Sequence, residues 1–380
     1  MRAGTQSGAI ALNDEQRLAW LQLLRSENVG PATFRDLINH FRSAAAALEA
    51  LPELIARGGA AGRIRIATRD MAEREMERAA REKACFIGMG EPDYPPALRS
   101  IDYPPPLICV KGNPGVLTQN AVAIVGSRNA SVNGMRLTGR LASELGLAGY
   151  AIVSGLARGI DAIAHKHSLE TGTIAVFAGG VDIVFPEENA QLASEIIDNG
   201  GAFVSEMPMG WKPRSKDFPR RNRLVAGIAH GLLVVEAARR SGSLISARLA
   251  NESGRPVYAV PGSPLDPRHE GTNWLIKQGA MLVTGADDII TDLADSLPPA
   301  GNAFWSGETE EDTALPAVTA ADDARGRILD ALGPEPVEVD DLIRFTGATA
   351  GQVQLVLIEL DLAGRIERHG GNRVSLIRGA

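Results

Sequence analysis

The sequence predicts an α/β protein with a Rossmann-like, doubly wound and mostly parallel sheet, flanked by a small helical domain and a winged-helix domain. Three observations lead to this prediction. Between residues 120 and 292, apolar β-branched segments alternate with amphipathic helical segments, as in parallel sheets covered on both faces. Residues 13–83 show apolar side chains at helical spacing. Residues 323–378 are typical of three helices followed by a hairpin.

Composition and charge are those of a globular protein from a reducing compartment. The 380 residues suffice for two or three domains, and 44% hydrophobic with 22% charged residues is ordinary for a soluble protein. Cys85 and Cys109 are the only cysteines, and no Cys/His cluster has zinc spacing. The chain opens without a signal-peptide pattern, and no apolar run approaches the ~20 residues of a membrane span. We expect a cytoplasmic protein with no metal, no cofactor and no membrane partner.

Residues 1–83 are predicted to form a small helical domain of the SAM or helix-hairpin-helix kind. The helical segments NDEQRLAWLQLLRSE and ATFRDLINHFRSAAAALEAL flank the turn NVGPAT. In that turn, Gly30 allows a tight reversal and Pro31 suits the first turn of the next helix. The pattern resembles a helix-hairpin-helix unit, a fold that can grip DNA backbones. We favour a plain helical bundle, and the helix-hairpin-helix unit stays open as the alternative.

Residues 84–292 are predicted to form the Rossmann-like domain, preceded by a proline-rich lead-in. The lead-in contains EPDYPPALRSIDYPPPLICVKG, whose prolines disfavour regular helix and interior strand. We therefore expect residues 84–118 to be an ordered connector laid over the sheet. The predicted strands are AVAIVG, YAIVSG, TIAVFAGG, AFVSE, GLLVVEA, PVYAVPG and AMLVTG.

Residues 293–322 are predicted to be an acidic linker, and residues 323–380 a winged-helix domain. Residues 322–380 hold seven arginines and no lysine against ten acids, and the third predicted helix carries Glu359 and Asp361 but no base. A helix that reads the major groove would be basic. We therefore favour a protein-interaction or regulatory role, and the remaining case for DNA rests on Arg365, Arg368 and Arg373.

Four of five located strand ends carry glycine or serine at the sheet edge where open α/β sheets bind ligands. The first such loop, GSRNASVNG, is not G-x-G-x-x-G, and the second strand ends in Ser154 and Gly155 rather than in an acid for a ribose. Both facts argue against a NAD site. Arg128 in the first loop indicates an anion instead.

The stretch KPRSKDFPRRNRLVAGIAHGLLVVEAARRSGSLISARLA, residues 212–250, is basic in a chain of net charge −7. The arginines of PRRNR stand where a helix is predicted to begin near Arg220, and the macrodipole disfavours cations there. A phosphate would satisfy both the helix end and the arginines, and the same holds for Arg239 and Arg240 beside the SGS turn. Phe218 could stack on a base or fill the core. The features predict a polyanion or a mononucleotide, and a solvated basic face is the alternative.

Catalytic patterns are few. His165, His167 and His230 lack metal-ligand spacing, and neither a G-x-S-x-G elbow nor a Walker A lysine occurs. Glu206 and Glu236 are the candidate general bases, although we favour their pairing with arginines of the range 220–223. We expect no catalytic residues, and hence no enzyme.

Several motifs together resemble the DNA-processing protein A (DprA or Smf) family. They are AIVGSR, VSGLARGIDAIAH, FAGGVDIVFPEEN, SEMPMG, FPRRNRLVAGIAHGLLVVEA, SGSLISARLA and VYAVPGSPLDPRHEGTNWLIKQGA. The resemblance covers about residues 85–290. The resemblance implies a protein that binds and protects incoming single-stranded DNA during natural transformation. It also implies that the protein loads the RecA recombinase, performs no catalysis, and forms a homodimer through its Rossmann-like domain.

The resemblance further implies DNA contacts at Arg128, at the stretch that ends with Phe218, at residues 221–223 and at Arg240. Some relatives carry a lysine three residues before the phenylalanine, whereas this chain has Ser215 there and Lys216 next to it. With the strand-end residues, the predicted DNA site comprises Gly126, Ser127, Arg128, Gly155, Ser215, Lys216, Phe218, Arg221, Asn222, Arg223, Arg240, Ser241, Gly242 and Ser243.

Two other functions stay open. The doubly wound domain also resembles hydrolases that cleave a nucleoside monophosphate at its base–sugar bond, with Glu236 and Arg223 as candidate residues. This chain lacks the Gly-Gly-x-Gly-Thr run of those enzymes. The second alternative is a scaffold between the recombinase and other DNA machinery, with a vestigial pocket.

Overall fold

The computed structural model describes residues 11–60, 62, 64–296 and 322–377. These residues divide into two compact units, one containing residues 75–296 and the other containing the described residues of the ranges 12–74 and 322–377. Within the described residues, no helix combines the length and apolar character needed to cross a membrane.

The described residues form fourteen helices and twelve strands. The helices are Asp14–Arg25 (α1), Pro31–Phe41 (α2), Ala44–Arg57 (α3), Arg69–Arg81 (α4), Val132–Leu147 (α5), Ile160–Lys166 (α6), Ala190–Asp198 (α7), Asp217–Ile228 (α8), Gly242–Glu252 (α9), Glu270–Lys277 (α10), Ala286–Ser296 (α11), Asp322–Ala331 (α12), Val339–Thr346 (α13) and Ala350–Leu362 (α14). The strands are Ala84–Gly88 (β1), Leu107–Gly112 (β2), Ala121–Val125 (β3), Ala151–Ser154 (β4), Thr173–Val176 (β5), Ala202–Ser205 (β6), Gly231–Val234 (β7), Val257–Ala259 (β8), Met281–Leu282 (β9), Val337–Glu338 (β10), Ile366–His369 (β11) and Arg373–Leu376 (β12).

The larger unit is built on a nine-stranded sheet in the order β1-β2-β6-β5-β4-β3-β7-β8-β9. All pairs from β6 to β9 are parallel, whereas β1 and β2 are antiparallel to their neighbours. In β3, Val122 and Ile124 pack with α5, α6 and α11, whereas Ala123 and Val125 pack on the opposite face with α8, α9 and α10. The prediction of a doubly wound, mostly parallel sheet is confirmed.

The lead-in prediction is wrong for β2. This strand is an interior strand, because it pairs with β1 on one side and with β6 on the other, with Cys109 opposite Ser205. The prolines from Pro92 to Pro106 all precede Leu107, so the strand itself keeps every N–H group for pairing. Between β1 and β2, the buried Tyr94 donates a hydrogen bond to the Pro105 carbonyl at 2.7 Å.

The smaller unit combines the N-terminal helices with the winged-helix domain. One predicted helix, residues 32–51, is divided into α2 and α3, because Arg42 takes a left-handed φ of 67° and Ser43 caps α3. The winged-helix prediction is confirmed, with α12 to α14 and a three-stranded sheet in the order β10-β12-β11. Of the predicted linker, residues 293–296 end α11, and residues 297–321 lie outside the described residues.

Helix α14 is covered on two sides, which explains its apolar composition. Val353, Val356 and Leu360 pack in the core of the winged-helix domain. Leu355, Ile358 and Leu362 pack in the core of the N-terminal helices. The N-terminal and C-terminal parts of the chain therefore share one hydrophobic core through α14.

Candidate nucleic-acid interface

A cleft opens at the carboxyl ends of β3 and β7, where the winding of the sheet reverses direction. From β3 the chain adds β4, β5 and β6 on one side, and then β7, β8 and β9 on the other. Open α/β sheets bind ligands at such a switch point. The loop after β3, the start of α8 and the turn before α9 line this cleft.

The structure brings most of the predicted site residues together. Arg128, Phe218 and Arg221 line both the cleft and an adjoining pocket, and Gly155 lines the adjoining pocket. Lys216 and Arg223 line neither of them. The other predicted residues in the cleft are Gly126, Ser127, Ser215, Asn222, Arg240, Ser241, Gly242 and Ser243.

Arg221 is the buried cation of this cleft. It is 7% exposed, and among the described residues its Nε has no hydrogen-bond partner. Burial lowers the pKa of its guanidinium; Asp161 opposes that shift and the like charge of Arg128 adds to it. Arginine stays protonated in proteins. Two repelling cations in one cleft, one of them desolvated, are complementary to an anion.

Asp161 is a site residue that the sequence analysis missed. Its buried carboxylate accepts hydrogen bonds from the N–H groups of Gly155 at 3.2 Å and Ala157 at 3.4 Å, and so it shapes the loop after β4. Burial raises the pKa of the Asp161 carboxyl, and the Arg221 charge opposes that shift. The sequence did carry a signal for Asp161, because this acid stands in the first turn of α6, shortly after Gly155 at the end of β4.

Glu206 forms ion pairs with two of the three arginines at the start of α8. Its buried carboxylate accepts hydrogen bonds from Arg220 Nε at 2.6 Å and Arg223 Nη2 at 3.1 Å. Arg223 also donates to the Tyr103 carbonyl at 2.7 Å, which directs its guanidinium to this ion pair. The favoured pairing of Glu206 with arginines is therefore confirmed, and only Arg221 of the three lines the cleft.

The expected pairing of Glu236 with these arginines is wrong. The fully buried Glu236 accepts a hydrogen bond from the Ser131 N–H at 2.9 Å and another from the Ser131 hydroxyl, at the start of α5. A carboxylate at a helix N-terminus is favoured by the macrodipole. Burial lowers the pKa of His165 to about 3, and its Nδ1 lies 2.7 Å from the Thr173 hydroxyl, so this histidine is a neutral core residue.

Phe218 presents an aromatic ring between cations. The ring centroid lies 5.7 Å from Arg128 Cζ and 5.8 Å from Arg221 Cζ. The side chain is partly exposed and lines both pockets. This geometry offers a ring to a ligand beside positive charge.

The predicted turn before α9 lines the cleft opposite the start of α8 with residues 240–243. Helix α9 begins at Gly242, and the Ser241 side chain accepts a hydrogen bond from the Ser243 N–H at 3.3 Å. Asn222 donates to the Gly242 carbonyl at 3.4 Å and so links α8 to α9. Arg240 lines the cleft beside this helix N-terminus, whereas Arg239 lines a neighbouring groove. Helix end and cation together favour a negative ligand.

Gly155→Ala is expected to weaken anion binding, because the new Cβ would lie 1.1 Å from Arg221 Nη1. The guanidinium must move, and we expect about a 10-fold lower affinity for an oligonucleotide, the loss of one charged hydrogen bond. Fluorescence anisotropy measures this effect. Gly285→Ala is the matched control, since its Cβ would meet no atom within 4 Å. Equal affinity of both variants and wild type would contradict the assigned position of Arg221.

Arg368 of the wing and the N-terminal hairpin turn both make contacts inside the smaller unit. Arg368 forms ion pairs with Asp36 at 2.8 Å and Asp361 at 2.7 Å, and its side chain is 15% exposed. Thr33 donates to Asp361 at 2.8 Å, and Asn28 donates to the Leu362 carbonyl at 2.9 Å. The turn that could grip a DNA backbone thus binds the end of α14.

Arg365 and Arg373 make weaker contacts. Arg365 Nη1 donates to the Gly58 carbonyl at 3.4 Å. Arg373 Nε donates to the Gly370 carbonyl at 3.0 Å on the exposed wing. Of these three arginines, Arg368 is the one that forms ion pairs with both Asp36 of α2 and Asp361 of α14.

Models of known protein families match the three domains of the chain in turn. A family model described as DNA recombination-mediator protein A matches residues 85–294. The chain belongs to this family, the DprA or Smf family. A DprA-like N-terminal HHH domain matches residues 14–78, which favours the helix-hairpin-helix interpretation. A DprA winged helix domain matches residues 312–372.

Individual members of the family align over most of the chain. The Protein Smf of Escherichia coli is 43% identical over 293 residues, which cover 75% of each protein. The X-ray structure of DNA processing protein A from Streptococcus pneumoniae superposes with a TM-score of 0.58 at 31% identity, and covers 74% of this chain and 98% of that one. The Helicobacter pylori DNA processing protein A superposes with a TM-score of 0.52 at 30% identity, covering 56% and 97%. That structure was described for its single-stranded DNA binding mode.

Proposed function

We propose that this DprA-family chain binds single-stranded DNA in the cleft between the ends of β3 and β7. The observation that carries the proposal is the buried Arg221, which faces the cleft together with Arg128 and the Phe218 ring. Cations neutralise phosphates, and an aromatic ring stacks on a base of any sequence. The single-stranded DNA binding described for the Helicobacter pylori relative supports the same ligand.

Membership in a family of recombination mediators supports a role in loading a recombinase. We propose that the chain protects incoming DNA during natural transformation and assembles RecA on it. We expect both activities to take place in the cytoplasm. The engagement of Glu206 by two arginines and of Glu236 by Ser131 supports a binding role rather than catalysis.

RecA assembly on coated DNA tests this function. Single-stranded DNA is first covered with a single-strand-binding protein, and ATP hydrolysis by added RecA is then followed with and without this chain. We expect the chain to shorten the lag before ATP hydrolysis. An unchanged lag at concentrations that saturate the DNA would contradict the loading role while leaving DNA binding intact. Release of free base from a nucleoside monophosphate would instead favour the hydrolase.

We also propose that the chain forms a homodimer through its Rossmann-like domain, at the edge of the sheet that ends with β9. Trp274 is 49% exposed, Met281 39% and Leu282 46%, and the first two line one groove. An exposed edge strand beside large apolar side chains favours association with another chain.

Leu282→Arg is expected to convert the dimer into a monomer, because it places an unpaired charge in the apolar contact. We expect the dimer dissociation constant from sedimentation velocity to rise by at least about 10-fold. Leu147→Arg is the matched control, since Leu147 is 82% exposed at the end of α5. A monomeric wild type, or an equally dimeric Leu282→Arg variant, would contradict this interface.

A further inference from the structure

Phe185 is a large aromatic side chain that stands half in solvent beside the proposed DNA cleft. It is 50% exposed and lines the pocket that also contains Arg128, Phe218 and Arg221. Its ring centroid lies 5.8 Å from that of Phe218. Half of this ring remains in contact with water despite its contact with Phe218, and an exposed aromatic face beside cations suits a ligand that has an apolar face and negative charge.

Polar contacts anchor the segment that carries Phe185. Asn189 donates a hydrogen bond to the Leu156 carbonyl at 2.9 Å, which joins this segment to the loop after β4. Glu188 forms an ion pair with Arg158, so its negative charge is balanced. Leu156 itself is fully buried with a left-handed φ of 54°, a strained conformation that clusters at ligand sites. The segment that follows Phe185 is therefore fixed to the loop after β4.

We propose that Phe185 is a second base-stacking platform, which takes the base next to the one that stacks on Phe218. This inference rests on the proposed single-stranded DNA binding and adds a contact that discriminates between single strands and duplex. The site accordingly has two kinds of contact: cations at Arg128 and Arg221 for phosphates, and two rings for bases.

The inclination of the two rings is incompatible with a regular stack of parallel bases. Bases of a duplex follow one another at about 3.4 Å along each strand. The centroids of the two rings are 5.8 Å apart and their planes are inclined by 58°, so two bases that lie flat on them cannot be parallel to each other, as neighbouring bases of a duplex are. Unstacking is easily achieved in a single strand, and in a duplex it also requires the base pairs to open. The aromatic pair therefore favours single strands independently of charge.

The test compares two oligomers that share a backbone and differ in their bases. Anisotropy is measured with labelled oligo-dT and with an abasic oligomer of equal length, for wild type and Phe185→Ala. We expect oligo-dT binding to weaken by about 5- to 100-fold, the effect of losing one stacked base. Binding of the abasic oligomer should change by less than about two-fold, and the salt dependence of oligo-dT binding should persist, because no charge is removed.

Two further variants complete the test. Phe185→Trp keeps an aromatic face and should bind oligo-dT about as well as wild type. Phe345→Ala removes an aromatic side chain that is 83% exposed in the winged-helix domain, and it should have no effect.

The outcomes separate this inference from the proposed function. If wild type binds oligo-dT and Phe185→Ala binds it equally well, the second platform is refuted and DNA binding stands. An equal loss on both oligomers would also overturn the inference, because Phe185 would then act through the fold. If wild type binds neither oligomer, the proposed function fails together with the inference.

Discussion

Replacing Arg221 with alanine is expected to weaken binding of single-stranded DNA by about 10- to 100-fold, the contribution of one hydrogen bond to a charged group. Arg221 is the buried cation of the cleft, and among the described residues its Nε lacks a partner. A phosphate that fills this position would be held in a site of low dielectric, where charge interactions are strong. The slope of log affinity against log salt should fall by about one unit, since one phosphate contact is lost.

Arg220→Ala is the matched control for this experiment. It removes the same charge from the same turn of α8, but Arg220 forms an ion pair with Glu206 and does not line the cleft. We expect its affinity to stay within about two-fold of wild type, because Arg220 does not line the cleft and Arg223 still pairs with Glu206 in this variant. Equal losses in the two variants would mean that net charge alone holds the DNA, which would contradict a built phosphate site at Arg221.

Arg368→Met is expected to destabilise the shared core of the smaller unit by about 3–5 kcal/mol, the cost of breaking a buried ion pair. Arg368 lies between Asp36, whose side chain is 1% exposed, and Asp361, whose side chain is 16% exposed. Its removal leaves two neighbouring carboxylates without their shared cation. Hydrogen exchange followed by mass spectrometry should show faster exchange of α14 amides, while α8 amides keep their protection.

Arg373→Met is the control for this change, because it removes an exposed arginine of the same hairpin, whose Nε donates to the Gly370 carbonyl at 3.0 Å. We expect α14 protection in this variant to equal that of wild type. Unchanged α14 exchange in Arg368→Met would mean that the apolar contacts of Leu355, Ile358 and Leu362 suffice to hold the two domains together.

The parts of the fold that depend on local periodicity were predictable from the sequence. Alternating strand and helix patterns predicted the parallel sheet, and three helices followed by a hairpin predicted the winged-helix domain. The prolines of the lead-in do not exclude an interior strand, because they all lie outside Leu107–Gly112, which forms β2. The position of the cleft also followed from the sequence, since the strand ends of parallel sheets converge at one edge.

Contacts between distant segments could not be predicted in the same way. The sequence PRRNR does not predict that Arg220 and Arg223 pair with Glu206 while Arg221 lines the cleft. The contact of Asn28 with the Leu362 carbonyl joins residues 334 positions apart. A signal did exist for the burial of α14, because the apolar residues of QVQLVLIELDL do not fall on a single face, and such a helix is covered on more than one side.

The most direct test of single-stranded DNA binding in the cleft is fluorescence anisotropy of the wild-type chain with labelled oligo-dT and with a duplex of equal length, across a salt series. Bound phosphates predict affinity that falls linearly with log salt, and exposed rings at Phe185 and Phe218 predict tighter binding of the single strand. Tight, salt-dependent binding of oligo-dT and weak binding of duplex is the expected result. Equal affinity for both forms, or none for the single strand, would contradict the proposed site.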